Sequence, residues 1–276
     1  MMRALRTPLA FMIPFFASGV RKHTRRNALR IFGQTLDGAE QRRFTREVVS
    51  SFYEFVVDVG QSGCEPTERL LQRIESVEGE AEYCALRRSG RGAVLVTAHI
   101  GSFEVGLAAL VRVERRVHVV FKRDASGPFE CMRTELRRKL GIIESPIDDG
   151  LATWMALRDS LNDGDVVVLQ ADRAMPGQRS AVVPFLHGHL RVPTGAVRLA
   201  RLADCPIVPV FTVRLASGRF AVHLGPAIEP GTAGDASDSD DPAVLAVARA
   251  IESMVARSPT QWLMLGSAFE EDAAHA

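Results

Sequence analysis

The sequence predicts an α/β domain with a helical N-terminal portion packed on it, and three observations carry that prediction. From residue 93 onward, apolar stretches of strand length alternate with stretches of helical periodicity. Two of them, AVLVTA (Ala93–Ala98) and DVVVLQ (Asp165–Gln170), are continuously apolar, as expected of strands buried on both faces. Before them, Phe44, Val48, Phe52, Phe55, Val56 and Val59 recur at helical spacing, so one face of a long helix is strongly apolar.

The elements follow in order. DGAE, Asp37 to Glu40, has the spacing of a capping box and opens that long helix. A shorter helix is predicted from about Pro66 to Ile74. After the first buried strand come a helix at Phe103–Val111, a strand at Val117–Phe121, and a charged amphipathic helix at Pro128–Leu140. Leu151–Leu161 is helical and precedes the second buried strand. Ala181–Phe185 is a strand, Thr194–Leu202 a helix, and Ile207–Val213 and Phe220–Leu224 are strands. Gly231–Asp241 is an acidic loop, and Pro242–Arg257 is a last helix. No repeat or linker divides the chain, so residues 1–276 read as one domain, helical over 1–75 and α/β over 76–265.

Composition agrees with a globular chain: 46% of the 276 residues are hydrophobic and 24% charged, which argues against disorder. The net charge of +1 hides an asymmetry. Residues 1–46 carry ten Lys or Arg against Asp37 and Glu40, an excess of eight positive charges. A basic end on a neutral body calls for an anionic partner, phospholipid headgroups or nucleic acid. Cys64, Cys84, Cys131 and Cys205 are scattered with no CxxC pair, so neither a zinc site nor a disulfide framework is indicated.

The basic residues flank an apolar segment, TPLAFMIPFFASGV (Thr7–Val20), rather than a reading helix, which disfavours nucleic acid. Its fourteen residues include Pro8 and Pro14. That is short of the roughly 20 helical residues that a membrane span needs. An interfacial segment pairing its arginines with anionic lipid fits, while a buried first helix and a signal peptide stay open.

The chemistry concentrates where strands end. His99 follows the strand Ala93–Ala98, at the carboxyl end where α/β sheets bind ligands. Gly101 and Ser102 make a tight turn with Ser102 as the helix N-cap, and Glu104 lies in the first helical turn. The spacing lets Glu104 reach back to His99, fixing its tautomer and stabilising the imidazolium. Backbone N–H groups at Gly101 and Ser102 would hold a developing oxyanion. The alternative is a hydrogen-bonded core histidine and a solvated glutamate. GxSxG and GxGxxG are both absent, against a serine nucleophile or a dinucleotide loop.

A second constellation begins at Asp172 and Arg173, after the strand Asp165–Gln170, where a charge pair binds a polar headgroup or orders a loop. Arg198 and Arg201 lie three apart on one helix, as a phosphate clamp or as a solvated face. His187 and His189 would suggest a metal with Asp172, but their turn-like setting favours an exposed hairpin, and no metal is expected.

Taken together, these blocks resemble the bacterial lipid A biosynthesis (lauroyl/myristoyl) acyltransferase family of the lysophospholipid acyltransferase superfamily. The resemblance runs through HIGSFE (His99–Glu104), FKRD (Phe121–Asp124), QADRAMPG with VVPFLHGHLRVPTGAVRLARLADCPIVPVF, and IESMVARSPTQWLML (Ile251–Leu265), in the family's order. After Trp262 the chain departs from the family's His- and Arg-bearing ending and reads LGSAFEEDAAHA.

The resemblance implies a mixed central sheet with flanking helices, and O-acyl transfer from an acyl carrier protein or coenzyme A thioester to a lipid, glycolipid or carrier-bound acceptor. His99 would be the general base and Glu104 its orienter. Arg123, with Lys122, would stabilise the oxyanion or bind the acceptor's anionic group, and Asp172, Arg173 and Arg198 would shape the acceptor site. No cofactor is implied. The expected location is the cytoplasmic face of the bacterial inner membrane, peripheral or interfacially anchored on an anionic surface. A non-catalytic membrane-surface or carrier-binding module, and a hydrolase using the same pair on water, are the alternatives.

Overall fold

A computed structural model of the protein describes residues 17–123, 127–147, 150–232 and 237–273. Helix α1 (Ser18–Phe32) ends on Gly33, whose φ of 69° is the left-handed conformation favoured by glycine at a helix C-terminus. Helix α2 (Gly38–Cys64) opens with the predicted box. The Asp37 carboxylate accepts from the N–H groups of Ala39 and Glu40, and the Glu40 carboxylate accepts from the Asp37 N–H. The two helices meet through Thr24 and Thr45, whose hydroxyls are 2.8 Å apart, and through the edge-on rings of Phe32 and Phe44. Residues 7–16 of the apolar N-terminal segment lie outside the described residues.

The helix expected at Pro66–Ile74 is shorter, α3 (Thr67–Gln72), because Ile74 opens strand β1 (Ile74–Glu78). Then follow α4 (Glu80–Arg87), β2 (Ala93–Thr97), α5 (Phe103–Leu110), β3 (Val117–Phe121), α6 (Gly127–Lys139), β4 (Ile143–Pro146), α7 (Leu151–Asn162) and β5 (Val166–Gln170). The remainder is β6 (Ser180–Phe185), β7 (Gly188–Pro193), α8 (Gly195–Leu202), β8 (Ile207–Arg214), β9 (Phe220–Leu224), α9 (Pro242–Arg257), a 3-10 turn at Pro259–Gln261 and α10 (Glu270–Ala273).

Seven strands form one mixed sheet in the order β1-β9-β8-β2-β5-β3-β4, antiparallel only between β8 and β9. Strands β6 and β7 form a separate hairpin. Of the strands that periodicity does not reveal, β7 belongs to the hairpin, and β1 and β4 are the two edges of the sheet. Their sequences, IESVE and IESP, are half-exposed and lack the continuous apolar run of a central strand.

The central strands bury both faces. Val94 and Val96 of β2 and Val167 and Leu169 of β5 face α7, α8, α9 and the hairpin. Leu95 of β2 and Val166 and Val168 of β5 face α3, α4, α5 and α6. Each fully buried Val or Leu contributes about 1.5–3 kcal/mol relative to exposure. This core makes the carboxyl ends of β2, β3 and β5 a rigid platform.

Candidate active site

Register decides what meets at that platform. Thr97 of β2 pairs with Gln170 of β5 in a parallel ladder, so the residues two positions beyond each, His99 and Asp172, emerge side by side. Nδ1 of His99 lies 2.8 Å from Oδ1 of Asp172, and the His99 backbone N–H donates to Oδ2 at 3.0 Å. The Trp262 indole N–H donates to the same Oδ2 at 2.9 Å. Asp172 has 0% exposure. Burial pushes its carboxyl upward, but the charge of His99 and the hydrogen bonds from His99 and Trp262 outweigh that and hold it below the ordinary value.

This geometry corrects the role expected of Glu104. Its carboxylate accepts from Arg133 Nε at 2.8 Å and from Arg137 at 2.5 and 3.2 Å, and Asp172 occupies the place of orienter beside His99. Helix α5 directs Glu104 into the interface with α6 instead of back toward the loop, and the side chain is 1% exposed. Burial raises its pKa, while Arg137 and Arg133 lower it further, so it stays charged below the ordinary range. Arg137 is braced by Glu144 at 3.1 Å and by the Phe121 ring, whose centroid lies 4.8 Å from the guanidinium carbon. Arg133 reaches the cleft beside His99.

The anion-binding amides expected at the turn are also differently used. Gly101 N–H donates to Gln261 O at 2.9 Å and Ser102 N–H to Thr212 O at 3.1 Å. The Ser102 side chain sits at the N-cap position without capping, because its hydroxyl donates to Asp58 at 2.5 Å. Gly101 is required here: φ is +56°, and a Cβ would stand 2.0 Å from the Thr212 carbonyl oxygen. The loop is closed from below by Leu263 N–H, which donates to His99 O at 2.7 Å.

His99 lines a cleft of about 790 Å³ whose lining is part apolar and part basic. Phe52, Phe55 and Val56 of α2, with Phe103, Phe129, Met132 and Leu263, form an apolar wall. Lys122, Arg123 and Arg173 add positive charge to the lining, which also includes Gln170 and Gln178. The Gln170 Nε2 is buried without a hydrogen-bond partner. Lys122, Arg123 and Arg173 thus line the same cleft as His99, while Asp124 lies outside the described residues.

Arg198 is exposed on α8 and does not line the cleft. Its supposed companion Arg201 binds Asp241 at 2.6 and 2.9 Å and the Pro230 carbonyl oxygen, fastening α9 to α8, so no phosphate clamp forms. His189, exposed on the β6–β7 hairpin, pairs with Glu271 at 2.7 Å, and the Asp172 carboxylate is taken by His99 and Trp262, so the three are not brought together. Among the described residues no group of three or more His, Cys, Asp or Glu is placed to hold a metal ion.

Three residues that the structure places at or behind the site carry weaker sequence signals. Asp58 interrupts the apolar face of α2, which in a buried helix requires a partner. Arg133 is hidden in a helix rich in charge, and Trp262 is legible only as part of the closing Pro-x-x-Trp block. Among the described residues no helix is long and apolar enough to cross a membrane. No curated protein matches the chain. The family model of the bacterial lipid A biosynthesis acyltransferases matches residues 1–271. That match runs over nearly the whole length, and the chain belongs to this family.

Proposed function

We propose that the chain transfers a fatty acyl group from an acyl carrier protein or coenzyme A thioester to a hydroxyl of a lipid, glycolipid or carrier-bound acceptor. The observation that carries this reading is the orientation of His99. Its Nδ1 is engaged by Asp172 and its ring lines the cleft, which leaves Nε2 for substrate. A neutral imidazole held by a buried carboxylate is a general base whose protonated form is stabilised as it arises.

His99 Nε2 takes the proton of the acceptor hydroxyl as its oxygen attacks the thioester carbonyl. The tetrahedral intermediate places negative charge on the former carbonyl oxygen. Arg133, held by Glu104 and lining the cleft with His99, is the donor we assign to that charge. Collapse breaks the C–S bond, and the thiol leaves with the proton returned by His99. The products are an ester and a free thiol, and no acyl-enzyme is needed.

The acyl chain takes the wall formed by Phe52, Phe55, Val56 and Met132, and Lys122, Arg123 and Arg173 receive an anionic group of acceptor or donor. The reaction is assigned to the cytoplasmic face of the inner membrane, where the basic N-terminal portion meets anionic lipid. Purified protein given labelled acyl thioester and extracted lipid should produce labelled ester. His99→Ala should abolish it with the fold intact, and undiminished transfer by that variant overturns the mechanism. Label released as free acid irrespective of acceptor would mark a hydrolase instead.

A further inference from the structure

Behind the histidine loop, outside the cleft, lies a buried charge cluster that the acyl-transfer chemistry does not use. Asp58 of α2 is 1% exposed and accepts from three directions: Arg73 Nη2 at 2.5 Å, Arg214 Nη2, and the Ser102 hydroxyl at 2.5 Å. Both guanidinium groups also lie over the Phe220 ring, 5.1 and 4.6 Å from its centroid.

The contacts close into a ring around the loop. Arg214 N–H donates to the Gln261 side-chain oxygen at 2.8 Å, and the Gln261 amide returns a bond to Arg214 O at 2.8 Å. The Gln261 carbonyl oxygen accepts from Gly101 N–H, and Ser102, the next residue, reaches Asp58. Ser102 gives up capping its own helix to make that last bond.

We propose that Asp58 is a positioning residue which, through Ser102, ties helix α2 to the histidine loop and fixes the approach of His99 to its substrate. Helix α2 carries Phe55 into the cleft wall and Asp58 into the ring, three residues apart on one rigid element. The surface that receives an apolar chain and the loop that presents the base therefore share one support. The 2.5 Å bond from Ser102 to a carboxylate that also takes two guanidinium groups is short and directional, suited to setting position rather than merely filling space. The inference rests on the acyl-transfer reading for its kinetic consequence, but not for its structural one.

Ser102→Ala tests it, because Asp58 keeps both arginines and the route through Gln261, and only its direct bond to the loop is lost. The first measurement needs no substrate: the downfield proton resonance of His99 Nδ1–H, assigned by its disappearance in His99→Ala. It should broaden or shift in Ser102→Ala and return in Ser102→Thr, which restores the hydroxyl. In turnover, kcat should fall about tenfold, since small misplacements of a catalytic group are costly, while KM for the acyl thioester stays within about twofold. A Ser102→Ala protein with a wild-type resonance overturns the proposal, and so does a Ser102→Thr protein that behaves as Ser102→Ala. Absence of turnover in the wild type would defeat the acyl-transfer reading, and the resonance would still decide the role of Asp58.

Discussion

His99 and Asp172, 73 residues apart in the chain, are joined twice: ring nitrogen to one carboxylate oxygen and backbone N–H to the other. The double contact fixes both the ring and the peptide that carries it. It also explains why Asp172 stays ionised although it is fully buried, since an unpaired carboxylate there would be driven to its neutral form. Asp172→Asn keeps the shape of the side chain but offers an amide to Nδ1 and favours the wrong tautomer. Steady-state acyl transfer should fall on the order of 10³- to 10⁴-fold, with near-wild-type circular dichroism.

Trp262 acts one step further out. Its indole N–H donates to Asp172, and its ring packs against Phe185 and Phe269 in the core. Trp262→Phe should keep much of the packing and lose that bond. Asp172 then has one donor fewer, which should reduce kcat by about tenfold and stability by about 1–3 kcal/mol, read from urea unfolding.

The sequence makes the central strands and the histidine legible because both rest on local pattern. AVLVTA and DVVVLQ need no partner to be recognised as buried strands, and their carboxyl ends point to His99 and Asp172 together. Which carboxylate serves the histidine is a different kind of question. Glu104 is near in sequence, and Asp172 is near through strand register, and spacing along a chain cannot report register between strands 73 residues apart. The same limit hides β1 and β4, whose edge positions remove the apolar run, and the ring through Asp58, whose members come from α2, β8 and two loops. The departure after Trp262 becomes intelligible only in space: Phe269 is fully buried against Trp262, and Glu270 and Glu271 pair with Arg191 and His189 of the hairpin.

Glu104 should behave as a structural and electrostatic anchor rather than as half of a proton relay. Glu104→Ala leaves Arg137 buried at 1% side-chain exposure and loses its closest counter-charge. Breaking a buried pair from one side costs about 3–5 kcal/mol, and a loss of that size should appear as a lower urea midpoint. The loss of transfer should be far smaller than in Asp172→Asn, because the Asp172 contact to His99 is untouched. A loss as large as the one in Asp172→Asn, in protein that still folds, would return Glu104 to the relay.

Acid should separate the same two carboxylates by their effect on folding. Glu104 and Asp172 both have folded pKa values below their ordinary values of 4.5 and 3.8. A depressed carboxyl contributes stability that is fully present above its unfolded pKa and is lost as pH falls through the folded value. Between those limits the unfolded chain binds more protons, so unfolding free energy should rise with pH. Wild-type protein should therefore lose stability on acidification from about pH 5 downward. Glu104→Gln, which cannot titrate, should start from a lower stability at neutral pH and show a shallower slope across this window. Urea titrations at a series of acidic pH values measure that slope directly, and equal slopes in the two proteins would mean that the Glu104–Arg137 pair does not hold its charge in the folded state.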